Sequence, residues 1–222
     1  MAEFYGIRWP YDRSELIADG IVNGVGVVFS VIGATVLIFY ATLWSTYGQM
    51  AAAWVYSVGL VTALSLSFSY NVWPVSRTKW ILRRFDHSGI FVLIAATYTP
   101  FLARGADDPV LVIALIALWL FAAAGVFLKC AFPGRGDRLA ILLYLAMGWS
   151  GLLIAEPVAA RVPFASMLLI VLGGVIYTLG VIFHVWEKLR FQNAIWHGFV
   201  VAAAAIHYSA VMTCFSLSTD NL

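Results

Sequence analysis

The sequence is short of charge. Asp, Glu, Lys and Arg make up 11% of its 222 residues, where a soluble domain carries about a quarter. That is too little to solvate a globule of this size, so the class of ordinary soluble domains is excluded. The net charge is only +2. The basic residues are dispersed among several short segments rather than massed on one, so no nucleic-acid partner is expected. Cysteine is equally scarce: Cys130 and Cys214 are the only two, which rules out a disulfide framework. The topology read below puts them near opposite membrane faces, where they do not pair. The first twenty residues are polar and of mixed charge, with no short apolar segment ahead of a cleavage site; no removable signal peptide is expected. No linker, composition shift or low-complexity tract marks a second domain, and residues 1–222 read as one.

What the chain has instead is hydrophobic residues, 63% of the total, with a mean hydropathy of +0.92. A helix needs roughly 20 apolar residues to cross about 30 Å of hydrocarbon. Seven stretches qualify: 21–44, 51–73, 87–103, 110–129, 139–155, 164–185 and 194–215. All must be helices, because an open sheet cannot satisfy its backbone in lipid. The fold expected is therefore all-α, a bundle of seven transmembrane helices with short connections, the longest at 71–86 and 130–138. Small residues recur inside spans, Gly24, Gly26, Ser30 and Gly33 in the first and Gly173, Gly174 and Gly180 in the sixth, as close helix packing in lipid requires.

Orientation follows from Lys and Arg, which collect on the cytoplasmic side. Arg8, Arg13, Arg77, Lys79, Arg83, Arg84, Lys129, Arg135, Arg138, Lys188 and Arg190 all fall on the side of the N-terminus; only Arg104 and Arg161 fall on the other. Eleven against two predicts a cytoplasmic N-terminus, a C-terminus outside, and residence in the cell's inner (plasma) membrane. An odd number of spans is self-consistent with that.

Polar residues at membrane depth are costly and mark function, and here they share one side. Glu15, Asp19 and Asn23 lead into the first span at spacing four. Ser67, Tyr70 and Asn71 end the second; Asp86 and His87 open the third, Asp86 reading also as a helix N-cap. His184 and Glu187 end the sixth, and Asn193 and His197 begin the seventh, sharing one face by i, i+4. His207 is the exception, about 15 Å deeper at 1.5 Å per residue, close enough to the same face to line a cavity at a second depth. No polar stripe crosses the whole membrane, which ranks a pore or ion path last.

At these residues the chain resembles the hemolysin III family, the bacterial branch of the progestin and adipoQ receptor group that includes the adiponectin receptors. The resemblance is carried by LRRFDHSGIFVLIAATYTPF at 82–101, supported by SELIADGIVNGVG at 14–26, SFSYNVWPVS at 67–76, GGVIYTLGVIFHVWE at 173–187 and NAIWHGFVVAAAAIHY at 193–208. It implies a seven-helix fold with a cytoplasmic N-terminus. It also implies an intramembrane zinc site made of a Ser-x3-His at the end of the second helix, a His-x3-His in the seventh and an Asp opening the third, an arrangement shared with membrane ceramidases.

Ser67, Asp86 and His197 match that pattern. Asn71 and Asn193 stand where it has histidine, and Asn23 stands where many relatives have one. The metal set carried over is therefore His197, Asp86, Asn71 and Asn193. Zinc prefers imidazole, thiolate and carboxylate, whereas an amide oxygen suits harder ions, so zinc is expected to bind this set poorly.

Two functions follow. In one, the chain is a lipid amide or ester hydrolase, with or without metal: Asp86 and His197 position or deprotonate water, and Ser67 orients the carbonyl. It predicts a lipid-sized cavity between helices and a metal or ordered water at Asp86–His197, and a tightly packed Asn71–Asn193 contact with no cavity would sink it. In the other, the chain is a non-enzymatic membrane sensor or homeostasis protein in which the asparagines replace a metal by hydrogen bonds. Membrane lipids are the expected partners in both.

Overall fold

The computed structural model describes residues 11–132, 134 and 136–217, together with the backbone of 3–4 and 7–8. Arg135 lies outside the described residues, as do the side chains of the first ten, Arg8 among them. A short antiparallel pair, β1 (Glu3–Phe4) and β2 (Ile7–Arg8), precedes eight helices. These are α1 (Arg13–Trp44), α2 (Tyr47–Val72), α3 (Arg77–Leu102), α4 (Pro109–Ala131), α5 (Asp137–Trp149), the short α6 (Ala155–Ala159), α7 (Phe164–Val185) and α8 (Gln192–Ser216). A 3-10 turn at Ser150–Ile154 joins α5 to α6.

Six helical segments are long and apolar enough to cross a membrane: α1, α2, α4, the α5–α6 unit (Asp137–Ala159), α7 and α8. Apart from the short β1–β2 pair, its regular structure among the described residues is helical, and the chain is a multi-pass membrane protein. The third expected stretch, 87–103, is the second half of α3, whose first ten residues are basic and aromatic.

Two local expectations are corrected here. Asp86 is not an N-cap, and no long loop separates the second and third stretches. Residues 77–86 contain no helix breaker and continue the same helix. The connection shrinks to 73–76, and the cap is Ser76, whose hydroxyl accepts the Lys79 N–H at 3.3 Å. Asp86 sits well inside α3 as a result.

α1 shows how the bundle is built. Its inward face is Asp19, Asn23, Gly26, Ser30, Gly33, Leu37 and Ala41, and its outward face is Ile21, Val25, Val28, Ile32, Val36 and Phe39. Water-soluble helices bury the opposite set. Lipid accepts the large apolar side chains, and the small and polar ones turn toward neighbouring helices. α1 packs on α2 and α8, α2 on α3, α3 on α4, and α7 on α8. Glycines set the close approaches. A Cβ on Gly59 of α2 would lie 2.5 Å from the Cβ of Ala96 in α3, and one on Gly125 of α4 would lie 2.6 Å from the Phe91 ring.

Ionic clusters pin the ends. Asp137, opening α5, accepts from Arg83 of α3 at 2.6 Å and Lys129 of α4 at 2.8 Å, with His87 at 3.7 Å. At the other end Arg104 donates to the carbonyls of Cys214 (3.0 Å) and Arg161 (3.3 Å), and Arg161 pairs with Asp107 and Asp108. Cys130 and Cys214 form no disulfide among the described residues.

Replacing Gly59 by Val should force α2 and α3 apart and cost about 1–3 kcal/mol, the usual range for overpacking. Gly48→Ala, where an added Cβ meets nothing within 4 Å, should leave thermal unfolding in detergent unchanged. Equal melting of the two variants would contradict the packing described.

Candidate intramembrane site

Four helices, α1, α2, α3 and α8, bring their polar residues together at the end of the bundle where α1 begins. Along α1, Glu15, Asp19 and Asn23 are four residues apart and so share one face, and each meets a different partner. Glu15 Oε1 accepts the Phe191 N–H at 2.9 Å. Phe191 has φ 58°, a left-handed conformation uncommon for a bulky residue, and this bond helps hold the turn that starts α8. Gln192, buried, donates to the His184 carbonyl at 2.7 Å and accepts from the Tyr11 hydroxyl at 3.0 Å. Burial, with Asp19, Glu15 and Glu187 nearby, pushes the Tyr11 phenol up to about 12; Tyr11 stays a neutral hydrogen-bond donor there. The start of α8 is thus fixed against α1, and Asn193 and His197 with it.

Asp19 is the centre. Its Oδ1 lies 2.6 Å from His197 Nδ1 and accepts from Asn23 Nδ2 at 3.1 Å; its Oδ2 accepts from Asn193 Nδ2 at 2.7 Å. A carboxylate has no proton to give, so His197 carries its proton on Nδ1 and leaves Nε2 as an acceptor. Nε2 lies 3.4 Å from Ser67 Oγ of α2. Ser67 donates to Asn23 Oδ1 at 3.0 Å. Asn71, one turn further along α2, donates through Nδ2 to the Ser67 carbonyl at 2.9 Å and lies 3.4 Å from its Oγ. Asn71 Oδ1 accepts from Asn193 at 3.0 Å. The Asp86 carboxyl on α3 is near enough to interact with both Ser67 and His197. Asp19, Asn23, Ser67, Asn71 and His197 are all buried, whereas Asp86 and Asn193 are partly exposed and form the rim.

In the first turn of α3, Lys79 is fully buried. Its Nζ donates to the carbonyls of Tyr70 (2.7 Å), Trp73 (2.8 Å) and Asn71 (3.3 Å). Those oxygens belong to the last turn of α2 and the residue after it, where carbonyls lack intrahelical partners. A residue read from sequence only as a topology marker therefore caps the helix that carries Ser67 and Asn71.

All the residues expected at the site, Ser67, Asn71, Asp86, Asn193 and His197, are brought together. The other histidines are elsewhere. His87 faces Asp137, and His184 packs on Trp196. His207 lies against Gly173 of α7 and bonds the Ile170 carbonyl at 3.1 Å, so it lines no deeper part of the site. The assignment of site residues overlooked Asp19 and Asn23, although their spacing from Glu15 was the available signal.

This donor set does not suit zinc. His197 Nδ1 is engaged by Asp19, positions 71 and 193 offer amides where zinc prefers imidazole, and the amide oxygens of Asn23 and Asn71 already accept hydrogen bonds. Among the described residues no three His, Cys, Asp or Glu side chains are grouped as metal ligands. Of the two conditions that together would sink hydrolysis, the Asn71–Asn193 contact is present, at 3.0 Å. A groove of about 430 Å³ lies elsewhere, lined by Thr35, Ile38, Phe39, Thr42, Leu43 and Trp54 of α1 and α2.

A family model described as "Haemolysin-III related" matches residues 18–208. The chain is 33% identical to the "Hemolysin-3 homolog" of Bacillus subtilis (strain 168), over 89% of this chain and 93% of that one. It is 32% identical to "Hemolysin-3" of Bacillus cereus, over 89% and 90%. It is also 30% identical to the "Monocyte to macrophage differentiation factor" of Homo sapiens, over 73% and 70%.

Asp19→Ala strands three side chains that now share its oxygens, and each unsatisfied buried group costs about 1–3 kcal/mol. Asp19→Asn keeps an acceptor and should lose less. Thermal unfolding in detergent compares them; a milder loss for the alanine variant would show that Asp19 does not hold the network.

Proposed function

Because the chain belongs to the haemolysin-III related family, within the progestin and adipoQ receptor group, we propose that it is a membrane hydrolase cleaving lipid amide or ester bonds. The observation that carries this reading is the meeting of Ser67, His197 and Asp86 in one buried polar site of an otherwise apolar bundle. His197 Nε2 is a base with its tautomer set by Asp19. A hydroxyl stands beside it, and Asp86 borders the rim through which an acyl carbonyl enters. Ionisable groups inside a membrane are expensive to keep unless they are used. The lipid-facing surface of the helices suits a substrate that arrives from the bilayer with its chain still in it.

We also read α3 as a further crossing, giving seven, with the basic residues and the site on the cytoplasmic side of the cell's inner membrane. The first turns of α3, with Arg77 and Arg84, then lie where anionic headgroups attract cations. A phosphatase that is active only outside the cytoplasm should work when fused after Leu222 and fail when fused after Lys188. The reverse pattern inverts the assignment.

A second reading is favoured by the 3.0 Å Asn193–Asn71 bond, which ties α8 to α2 and closes the network on itself. Here the chain is a non-enzymatic sensor of membrane state, and hydrogen bonds stand where the family pattern would put a metal. One experiment separates the two. Purified protein in phospholipid nanodiscs is given a labelled ceramide and a labelled monoacylglycerol, and fatty-acid release is followed. Release by the wild type that falls at least about 100-fold in His197→Ala, the low end for loss of a general base, supports the hydrolase. No release from either lipid supports the sensor.

A further inference from the structure

We propose that Ser67 is itself the nucleophile, that His197 is its base, and that Asp19 is the positioning residue behind the histidine: a metal-free acyl-transfer triad within the membrane. The inference rests on the hydrolase reading and names its mechanism. Three observations point to it. The carboxylate of Asp19 meets His197 Nδ1 at 2.6 Å. The opposite nitrogen, Nε2, faces Ser67 Oγ at 3.4 Å. Such a relay is recognised by these roles and not by chain order, and a somewhat long base–nucleophile distance is usual before substrate binds. Third, Asp19 is itself held. Asn193 Nδ2 takes Oδ2 at 2.7 Å, which leaves Oδ1 to the imidazole. The Asn193–Asn71 contact thereby acquires a function, orienting the carboxylate that orients the base.

The ground state has the Ser67 proton on the Asn23 side, 3.0 Å away. A hydroxyl rotates freely about its C–O bond, so the same proton turns to Nε2 without displacement of a heavy atom. In the first step Ser67 Oγ bonds to the substrate carbonyl carbon as its proton passes to His197 Nε2. Asn71 Nδ2 donates its second N–H to Ser67 Oγ at 3.4 Å, and as Oγ bonds to carbon that N–H turns to the oxyanion beside it. The tetrahedral intermediate collapses, the C–N or C–O bond breaks, and the leaving amine or alcohol takes the proton from His197. Water then adds to the acyl-Ser67 carbonyl and gives a proton to Nε2. The acyl–Oγ bond breaks, the fatty acid leaves, and the proton returns to Ser67. The sum is one bond hydrolysed by one water, with no metal and no redox partner.

The test uses the full chain in phospholipid nanodiscs treated with an alkyl fluorophosphonate, a probe that esterifies activated serines. The expected result is a covalent adduct mapped to Ser67 by tandem mass spectrometry, absent from Ser67→Ala and His197→Ala. Asp19→Asn should slow labelling by about 1,000-fold or more, on the scale of losing the orienting carboxylate of such a relay. Its elution as a single folded species should be unchanged. A purely structural role for Asp19 would not alter the labelling rate of the folded fraction. The absence of an adduct under conditions that fully label a control esterase overturns the proposal.

Lipid hydrolysis that persists in Ser67→Ala, or that a chelator abolishes in the wild type, also overturns it while leaving the hydrolase reading in place. Labelling of Ser67 without hydrolysis of ceramide or monoacylglycerol does the converse: the triad stands and the lipid substrate does not.

Discussion

The Asp19 carboxylate is the contact on which the arrangement of this end of the bundle depends. In hydrocarbon there is no water to satisfy a buried charge, so it must be paired and hydrogen-bonded within the protein. Asp19 meets that demand with side chains from two helices, Asn23 on its own α1 and Asn193 and His197 on α8. Those partners reach on to Ser67 and Asn71 on α2. The registers of α1, α2 and α8 are therefore coupled. A slide of any one helix by a single turn, about 5.4 Å, would leave several buried polar groups without partners.

The same economy of polar contacts appears at both ends of the molecule. Asp137 draws Arg83 and Lys129 together where α3, α4 and α5 meet, and Arg104 with Arg161 closes the opposite end on backbone carbonyls and two aspartates. Between them the helices are joined by small residues and apolar packing. Packing of this kind brings backbones close without fixing register strongly, so the polar clusters at the ends supply the specificity. Lys79 combines the two functions. It is buried like a core residue and donates to the carbonyls at the end of α2 that lack intrahelical partners.

The asparagines change what such a site can be. Imidazoles at positions 71 and 193 would offer nitrogen lone pairs to a metal; amides offer N–H donors and an oxygen, and these close into mutual hydrogen bonds. His197 is the only imidazole in the network, and its Nδ1 faces a carboxylate. On the function proposed above, its chemistry is that of a base beside a hydroxyl. That follows from the donor types and the distances together, and neither would suffice alone.

Much of this was legible in the sequence. The poverty of charge and the long apolar stretches imply a multi-pass helical membrane protein, because lipid admits few alternatives. The gathering of Ser67, Asn71, Asp86, Asn193 and His197 near one end was visible from their positions at the span ends. The extent of α3 was not, because a basic, aromatic stretch reads as loop until its neighbours bury it, as they bury Lys79. Nor was the part played by Asp19. Spacing placed it on a face with Glu15 and Asn23, but periodicity along one helix does not say which other helix that face meets. Sequence alone determined the class of protein and the residues available for chemistry. Tertiary structure decided which of them touch, since the contacts from Asp19 to His197 and from His197 to Ser67 span 178 and 130 residues and exist only once α1, α2 and α8 have packed.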